Sequence, residues 1–452
     1  MALIRSVSGV RGIVGQDLDA AVVYRYAGAF AALQPPGPIL LARDSRPHGR
    51  QLLETAAQAM QQARRPVIFV DLVPTPTAQF IVPRKHLAGA IVLTASHNPI
   101  EYNGLKFIGG DGCFLGAEQI DVLFARADQT EAPASIPSKR IRSQVVLDAA
   151  GLHILDTLHL GCIDTEAILR CRFKVVVDAV NGAGSFALPT LLEALGCEVV
   201  RLYTTPDGTF PRGTEPLPEN LTDLCRAVSE HGADLGMATD PDADRLALVD
   251  ETGTPPGEEL TQVLAIDGFL RRTGGRKPVT TTLSSSMVLD HVAKRYGIEV
   301  LRSAVGEVNV VNLMRSVGGE IGGEGNGGVI LAESHLGRDS LVGAALVLDL
   351  LAQEKQPLSA VLAQLPQLRL VKDRISIDDH DPDEVSRLIA ELYPEAEQIT
   401  TDGLKLQWPD RWIHVRKSNT EPIIRIHSEA PTAEEARALV DEARKVVAQV
   451  SK

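Results

Sequence analysis

The stretch Ala88-Gly89-Ala90-Ile91-Val92-Leu93-Thr94-Ala95-Ser96-His97-Asn98-Pro99 indicates the fold class of this chain. It begins as an apolar run with β-branched side chains, which predicts a buried strand. The run ends in a turn that carries a hydroxyl, an imidazole and an amide, and Pro99 keeps Asn98 out of the helical region. Open α/β sheets bind ligands where such strands end, so Ser96 and His97 are candidates for a functional site.

Ser96 is a candidate nucleophile, but a serine hydroxyl needs a base or a metal ion to do covalent chemistry. His97 is its neighbour in the sequence, and Lys106 is a cation a few residues further along. The alternative is an ordinary polar turn in which the serine is a cap and the histidine is solvated. This motif alone leaves both interpretations open.

The order strand, turn, helix, strand occurs in three segments of the chain, 38–71, 173–202 and 278–301. Continuous Val, Ile and Leu runs in these strands are typical of parallel strands covered by helices on both faces. The last part of the chain changes to short alternating strands and two amphipathic helices. We therefore expect an α/β fold, with three related α/β/α mixed-sheet domains and a smaller C-terminal α+β domain around a central cleft.

Polar and proline-rich stretches predict the domain boundaries. Gln129 to Ser138 predicts a loop near the end of the first domain, and Thr252 to Gly257 separates the second domain from the third. A further change of pattern follows Gln353 to Pro357. The predicted domains are 1–150, 151–253, 254–366 and 367–452.

The composition of the 452-residue chain, 44% of it hydrophobic, is typical of a globular protein. No apolar run approaches the ~18–20 residues that span a bilayer, and the N-terminus lacks the features of a signal peptide. The five scattered cysteines lack the spacing of a zinc site, which favours a reducing cytoplasm. A net charge of −13 argues against a nucleic-acid partner, but it allows a local cationic pocket for a phosphate.

An acidic stretch, Thr239-Asp240-Pro241-Asp242-Ala243-Asp244-Arg245, lies between two apolar predicted strands. Carboxylates at every second residue repel one another unless a cation lies among them. Oxygen ligands favour a hard ion such as Mg²⁺ over other metals, and Arg245 could bind the same phosphate as that ion. A calcium loop is disfavoured because its sixth position, which needs glycine, is Arg245. A solvated acidic turn is the remaining alternative. The candidate metal ligands are Asp240, Asp242 and Asp244.

Three further stretches carry polar groups suited to a sugar phosphate. Gly322 to Gly328 combines glycines with Glu324 and Asn326, whose oxygens suit sugar hydroxyls; a glycine hairpin without a ligand is the alternative. Arg416 to Pro422 predicts an anion-binding turn, and its alternative is a helix N-cap with basic neighbours. Ser6 to Gly12 predicts a bend, from which Arg11 could bind phosphate oxygens; a tight turn with a surface arginine is the alternative.

Together these stretches resemble the α-D-phosphohexomutase superfamily, over essentially the whole chain and in the same order. Phe210-Pro211-Arg212 and the stretch from Glu215 to Asn220 also fit the resemblance. It implies that Ser96 is phosphorylated, donates the phosphoryl group, and shares Mg²⁺ with the three aspartates. It also implies accompanying catalytic groups and groups that bind the substrate. The catalytic candidates are Lys106, Arg11 and His97, and the substrate-binding candidates are Arg245, Glu324, Asn326, Arg416, Ser418, Asn419, Thr420 and Arg425.

Two departures from the superfamily pattern concern the choice of sugar. Many relatives read GExSGH in the sugar loop, whereas this chain has Asn326 in place of the serine and Gly328 in place of the histidine. Many also carry a basic or aromatic residue where this chain has Glu307. The GEGNGG form resembles the archaeal-type phosphoglucosamine mutase subgroup, which favours a glucosamine phosphate.

The resemblance therefore implies an intramolecular phosphotransferase that interconverts hexose 6-phosphate and 1-phosphate. A hexose 1,6-bisphosphate would be the intermediate and activator. The alternatives are glucose or mannose phosphate as substrate, a metal-dependent sugar phosphatase, or a sugar-phosphate sensor without catalysis. We expect a cytoplasmic monomer or homodimer with a small-molecule partner and neither a nucleic acid nor a membrane.

Overall fold

A computed structural model describes residues 3–133, 147–376, 381–418 and 423–450. The chain divides into two compact units. The first comprises residues 1–274 and 326–361, and the second comprises residues 275–325 and 362–452. Part of the loop predicted over Gln129 to Ser138 lies outside the described residues, as do Asn419 and Thr420.

The first sheet of the first unit has the strand order β1-β2-β6-β5-β3-β4. Its strands β3, β4 and β5 are parallel, whereas β6 runs antiparallel to both β5 and β2, so the sheet is mixed. The strand predicted before the serine turn is confirmed as β5. The strands are β1 (Ile4–Ser6), β2 (Gly9–Ile13), β3 (Ile39–Arg43), β4 (Val67–Leu72), β5 (Gly89–Leu93) and β6 (Tyr102–Gly109), with helices α1 (Ala20–Leu33), α2 (Gly49–Gln62), α3 (Thr75–Arg84) and α4 (Ala117–Asp128).

The predicted bend from Ser6 to Gly12 is wrong for most of its length. Only Val7 and Ser8 form a turn, and Arg11 lies within β2 with Gly104 of β6 as its partner. The glycines led to the wrong prediction, because glycine is depleted in strands and favours turns. Gly104 is needed here for space, since a Cβ atom would lie 2.3 Å from the carbonyl oxygen of Val10.

The second sheet has the strand order β10-β9-β7-β8, and the acidic stretch is the turn between β9 and β10. These two strands pair antiparallel, with Thr239 opposite Leu246. The sheet is therefore mixed rather than wholly parallel. Its elements are α5 (Ala149–Leu158), α6 (Thr165–Cys171), β7 (Lys174–Asp178), α7 (Gly184–Ala194), β8 (Glu198–Leu202), α8 (Thr222–His231), β9 (Leu235–Thr239), β10 (Leu246–Asp250) and α9 (Glu258–Thr273).

In the second unit, β11 pairs in parallel with β12 and β13. The elements of this part are β11 (Val279–Thr282), α10 (Val288–Arg295), β12 (Val300–Ser303), α11 (Glu307–Val317) and β13 (Ile321–Glu324). The chain then returns to the first unit with β14 (Gly328–Leu331) and α12 (Ser340–Glu354), and α13 (Leu358–Ala363) follows. Almost every residue of α12 is buried, as its sequence, apolar on all sides, predicts. Its one buried charge, Asp349, accepts a hydrogen bond from Arg272 at 2.7 Å.

The C-terminal part of the second unit is an antiparallel sheet with the order β15-β19-β18-β17-β16. Side chains of its two helices pack on the sheet in one apolar core, which includes Val385 and Val440. The smaller α+β domain is thus confirmed. Its elements are β15 (Arg369–Ser376), α14 (Pro382–Leu392), β16 (Glu397–Ile399), β17 (Leu404–Gln407), β18 (Trp412–Lys417), β19 (Ile423–Ala430) and α15 (Ala433–Val450). None of the helices described across the chain is long and apolar enough to cross a membrane.

Lys405 of β17 is fully buried, over the ring of Trp412, with its Nζ donating to the carbonyl of Leu283 at 2.8 Å. Burial lowers its pKa to about 7. The folded state therefore binds fewer protons than the unfolded state between pH 7 and the ordinary lysine pKa, so this residue makes stability rise with pH in that window.

We predict that Lys405→Met removes this rise in the free energy of unfolding, which in the parent is up to ~1.4 kcal/mol per pH unit. Urea unfolding followed by tryptophan fluorescence reports on the second unit, because the two tryptophans of the chain, Trp408 and Trp412, both lie there. Parallel pH dependences of the unfolding free energy in the variant and the parent would contradict this account of Lys405.

Candidate active site

Ser96 lies in a strained and buried position just after β5. Its φ of 48° is in the left-handed region, which non-glycine residues adopt only when their surroundings hold them there. Its backbone N–H donates to the hydroxyl of Thr94 at 2.9 Å, and only 2% of the residue is exposed. Its Oγ lies 3.4 Å from a carboxylate oxygen of Asp240. The structure thus brings the predicted nucleophile next to the acidic turn.

The serine turn is held by a buried arginine that sequence reasoning missed. Arg46 donates to the carbonyl oxygens of Ser96 and Asn98 at 2.8 and 2.6 Å, and also to those of Pro99 and Tyr102. Asp44 pairs with this guanidinium at 3.0 Å, and both side chains are fully buried. Buried backbone carbonyls need donors, and one guanidinium supplies several of them here. Arg46 therefore maintains the conformation that presents Ser96.

The three aspartates of the acidic turn are buried, and one oxygen from each lies within 4.8 Å of the others. Pro241 and Ala243, which has a φ of 55°, reverse the chain sharply enough to bring these alternate side chains together. Asp240 accepts hydrogen bonds from the backbone N–H groups of Asp244 and Arg245, each at 3.2 Å. The predicted grouping of the three side chains is confirmed.

Donors from distant parts of the chain surround the other two carboxylates. Lys106 contacts Asp242 at 2.6 Å and Asp244 at 3.2 Å. The Thr75 hydroxyl donates to Asp242 at 2.7 Å, and Arg338 donates to Asp244 at 2.8 Å. Thr75 and Arg338 were not predicted, because neither belongs to a recognisable motif.

The negative charges of the three aspartates are compensated by neighbouring cations to different extents. Burial and the negative charges of Asp244 and Asp242 raise the pKa of Asp240 well above its usual range. Burial opposes ionisation of Asp242 as well, but its ion pair with Lys106 outweighs this and lowers the pKa of Asp242. Burial disfavours the charge on Lys106, yet Asp242 and Asp244 raise its pKa overall. Asp240 is thus the carboxylate whose charge has the weakest compensation.

A divalent cation fits this arrangement. Oδ1 of Asp242 and Oδ1 of Asp244 are buried, and no described residue donates a hydrogen bond to either. Buried carboxylate oxygens are normally paired or bound to a metal. Oxygen atoms without nitrogen or sulfur ligands suit a hard ion such as Mg²⁺.

His97 and Arg245 contact each other, with 3.1 Å between His97 Nδ1 and the Arg245 guanidinium, which also lies 3.9 Å from Asp240. Glu215 lies 3.5 Å from Arg245 and 3.7 Å from His97. Burial and the positive charge of Arg245 keep the pKa of His97 well below its ordinary value. Arg11 donates to the side chain of Asn98 in the serine turn at 3.0 Å, and the negative charges of Asp242 and Asp244 also act on it.

The second unit holds a separate group of predicted residues. Arg416 of β18 and Arg425 of β19 are directly opposite each other, and Arg425 lies 3.4 Å from the Ser418 hydroxyl. Like charges on neighbouring strands repel, and an anion relieves that repulsion. Glu324 accepts a hydrogen bond from the backbone N–H of Gly306 at 3.1 Å. Arg416 and Lys417 belong to β18, which pairs antiparallel with β19, so the alternative of a helix N-cap is wrong for these two residues.

Four family models match almost the whole chain: Phosphoglucomutase/phosphomannomutase alpha/beta/alpha domains I, II and III at residues 3–134, 153–253 and 257–368, and the C-terminal domain at 374–446. The chain belongs to this family. The matches confirm the predicted fold class, since they comprise three α/β/α domains and a smaller fourth one.

Individual relatives of this phosphohexomutase family member are similar over nearly their full lengths. A protein of Methanopyrus kandleri named "Probable phosphoglucosamine mutase" is 36% identical, over 96% of this chain and 95% of the relative. A "Phosphoglucomutase/phosphomannomutase" of Thermococcus kodakarensis is also 36% identical, over 95% of each. A crystal structure of a phosphoglucomutase/phosphomannomutase family protein from Burkholderia thailandensis matches with a TM-score of 0.80 and 27% identity, over 98% of this chain and 97% of that one.

In this family member, the predicted site residues form two groups. The first unit holds Ser96, Lys106, Arg11, His97, Asp240, Asp242, Asp244, Arg245 and Asn326, and the second holds Glu324, Arg416, Ser418 and Arg425. Asn326 accepts a hydrogen bond from the backbone N–H of Gly328 at 3.3 Å. Asn419 and Thr420 lie outside the described residues.

We predict that Asp240→Asn raises the melting temperature without Mg²⁺ and reduces the further increase that Mg²⁺ causes. Without metal the melting temperature should rise, because the amide removes repulsion while its oxygen still accepts the two backbone hydrogen bonds. The increase in melting temperature on adding Mg²⁺ should shrink, because a ligand stabilises the native state by RT ln(1 + [L]/Kd), which falls as Kd rises.

Differential scanning calorimetry with and without Mg²⁺ measures both effects. The control is Asp121→Asn, a change at an exposed carboxylate on α4, which should alter neither. A full Mg²⁺-induced increase in the Asp240→Asn variant would contradict the assignment of this carboxylate to the metal.

Proposed function

We propose that this protein is a phosphohexomutase that moves a phosphoryl group between the 6- and 1-positions of a hexose through a phosphoserine at Ser96. The observation that carries the proposal is the position of the Ser96 hydroxyl, buried and 3.4 Å from one of three clustered aspartates. Lys106, Arg245 and Arg338 lie within 4 Å of carboxylates of the same acidic turn. A phosphoserine adds about −1.5 to −2 charge, which these cations would offset.

The reaction consists of two transfers with opposite direction. In the first, the bond between phosphorus and the Ser96 oxygen breaks while the free hydroxyl of a hexose monophosphate bonds to the same phosphorus. The sugar hydroxyl loses one proton and the Ser96 oxygen gains one, with His97 and Lys106 as the candidate carriers. The resulting hexose 1,6-bisphosphate turns end for end, and the reverse transfer from its other phosphate restores the phosphoserine. Atoms and charge balance over the cycle.

The aspartates would hold Mg²⁺ through the carboxylate oxygens that receive no hydrogen bond from the described residues. When bound, the ion would neutralise negative charge on the transferring phosphoryl group. Lys106 and Arg245 keep that group oriented through charged N–H donors, which are stronger than neutral ones. The burial of Ser96 keeps water away from the phosphoserine and favours transfer over hydrolysis, which argues against the phosphatase alternative.

The group in the second unit suits the remainder of the substrate. Arg416, Arg425 and Ser418 offer charged and hydroxyl donors to the phosphate that is not being transferred, together with Asn419 and Thr420 of the same motif. Glu324 and Asn326 offer acceptors for the sugar hydroxyls. Because the intermediate has to bind in two orientations, donors that recognise phosphate rather than one sugar face are an advantage.

We propose glucosamine phosphate as the preferred substrate, on the basis of the GEGNGG loop and the name of the Methanopyrus kandleri relative. Glucose and mannose phosphates are the second candidates, because the Thermococcus kodakarensis relative carries that name at equal identity. We further propose a cytoplasmic monomer or homodimer with functional domains at 1–150, 151–253, 254–366 and 367–452.

We predict that Ser96→Ala abolishes the mutase reaction while leaving the fold intact, because it removes the only atom able to carry the phosphoryl group in this scheme. The assay incubates the enzyme and Mg²⁺ with the 6-phosphate of glucosamine, glucose or mannose and a trace of the matching 1,6-bisphosphate. Chromatography then measures the 1-phosphate formed. Ser316→Ala, on the exposed face of α11, is the matched control and should keep full activity.

Two results would overturn the proposal. One is full activity of the Ser96→Ala variant. The other is release of inorganic phosphate by the parent enzyme without formation of any isomer, which would favour a phosphatase.

A further inference from the structure

Arg338 reaches the acidic turn from a segment that no motif identifies. It lies between β14 and α12, with 8% of the residue exposed, and its guanidinium donates to Oδ2 of Asp244 at 2.8 Å. Lys106 contacts the same oxygen at 3.2 Å. The arginine is therefore a second buried cation on a carboxylate that already has one.

The position of Arg338 depends on the absence of a side chain at Gly328. A Cβ atom on Gly328 would lie 2.3 Å from Cδ and 2.8 Å from Cγ of Arg338. These are atoms in the middle of the side chain, whose far end is held on Asp244, so the chain cannot simply swing aside. Gly328 is thus required for space rather than for backbone conformation. This is the position at which many members of the superfamily carry histidine.

The backbone around Arg338 is held on both sides. The Asp339 N–H donates to the carbonyl of Val329 at 2.8 Å, and the Ser340 hydroxyl donates to the carbonyl of Ala243 in the acidic turn at 2.7 Å. The Asp339 side chain caps α12 and lies within 3.0 Å of Nε2 of both His153 and His335. Arg338 is therefore placed before any ligand binds, which reduces the entropy lost on binding.

The charge around the turn leaves room for an anion. Asp240, Asp242 and Asp244 face the cations Lys106, Arg245 and Arg338, and Arg11 adds a further charge next to the serine turn. Glu215 lies 3.5 Å from Arg245, so these carboxylates and cations balance, and a divalent cation on the aspartates would make the whole group positive. A guanidinium matches the geometry of phosphate oxygens better than an ammonium does.

We propose that Arg338 binds the transferring phosphoryl group. Gly328, which has no side chain, leaves the space through which the Arg338 side chain reaches that group. The inference rests on the proposed function, because it assigns a further residue to the same site. It makes Arg338 and Gly328 one functional pair, because the arginine side chain occupies the space that a side chain at position 328 would need.

The test is a set of kinetic measurements on Arg338→Ala, Arg338→Lys, Gly328→Ala and the double variant Gly328→Ala/Arg338→Ala. We expect Arg338→Ala to lower kcat/KM about 100-fold, as loss of a preorganised donor to a developing charge does. Arg338→Lys should recover part of this loss, because it keeps the charge but not the planar fork. Equal kcat and KM in Arg338→Ala and the parent would overturn the proposal.

Measurements of metal binding distinguish phosphate binding by Arg338 from a purely structural role in holding Asp244. If Arg338 only held Asp244 in place, Arg338→Ala would weaken Mn²⁺ binding measured by electron paramagnetic resonance, and that result would overturn the proposal. We expect Mn²⁺ affinity to be unchanged or higher, because a competing donor to Asp244 is removed, while the affinity for inorganic phosphate measured by calorimetry in the presence of Mg²⁺ falls.

The double variant Gly328→Ala/Arg338→Ala tests whether a side chain at position 328 acts by displacing the Arg338 side chain. Gly328→Ala should lower kcat/KM in the parent, but it should have no further effect in the Arg338→Ala background. Additive losses would show that the two positions act separately and would contradict the pairing. Gly28→Ala is the control for the glycine, since a Cβ there meets no described atom within 4 Å, and Arg65→Ala is the control for the arginine, since Arg65 donates only to carbonyls near α1.

The two proposals can fail separately. If the parent enzyme isomerises no hexose phosphate and Ser96 takes up no phosphoryl group from a bisphosphate, the proposed function fails. The phosphate and Mn²⁺ affinities of the same variants still decide whether Arg338 is an anion-binding residue. If the parent isomerises a hexose phosphate and Arg338→Ala does so equally well, only the inference about Arg338 fails.

Discussion

Mutual repulsion among three buried carboxylates in one short turn is the constraint on which the rest of the site depends. At separations below 5 Å, each pair of full charges would repel by on the order of 3 kcal/mol even at an effective dielectric constant of about 20. The turn is stable because β6 supplies Lys106, the start of α3 supplies Thr75, and the segment before α12 supplies Arg338. These donors leave Oδ1 of Asp242 and Oδ1 of Asp244 without a hydrogen bond from the described residues, and this is where we propose that a cation binds.

The serine turn is the second half of the same arrangement. A serine in the left-handed region would relax if its neighbours allowed it, and the buried pair of Arg46 and Asp44 prevents this by occupying the carbonyls of the turn. The candidate nucleophile and the acidic turn are therefore both held in place before substrate arrives. Electrostatic catalysis requires this, because charged groups that are already oriented need no reorganisation during the reaction.

The sequence predicted the local features well, because their causes are local. The apolar run before Ser96, the alternating carboxylates and the helix and strand order follow from patterns within a few residues, and the structure contains them. The bend assigned to Ser6 to Gly12 was wrong because pairing with β6, far along the chain, makes most of it a strand. The mixed sheets were expected, but which strands run antiparallel, β6 against β5 and β10 against β9, depends on pairings that periodicity does not encode.

The residues that sequence reasoning missed act across long separations. Arg338 contacts a carboxylate 94 positions away, Arg46 contacts carbonyls about 50 positions away, and Thr75 contacts Asp242 across 167 positions. The glycine at position 328 was recognised as a departure from the family pattern. Its meaning became visible only as a steric relation with Arg338, which no one-dimensional pattern contains.

The central claim is that a phosphate on Ser96 lies beside a metal held by the acidic turn, and phosphorus NMR of the phosphorylated protein tests it most directly. The account predicts one phosphomonoester resonance, sharp in Mg²⁺ and broadened beyond detection by one equivalent of paramagnetic Mn²⁺. A resonance that stays sharp when Mn²⁺ is bound would place the phosphate and the metal at separate sites and would contradict the account.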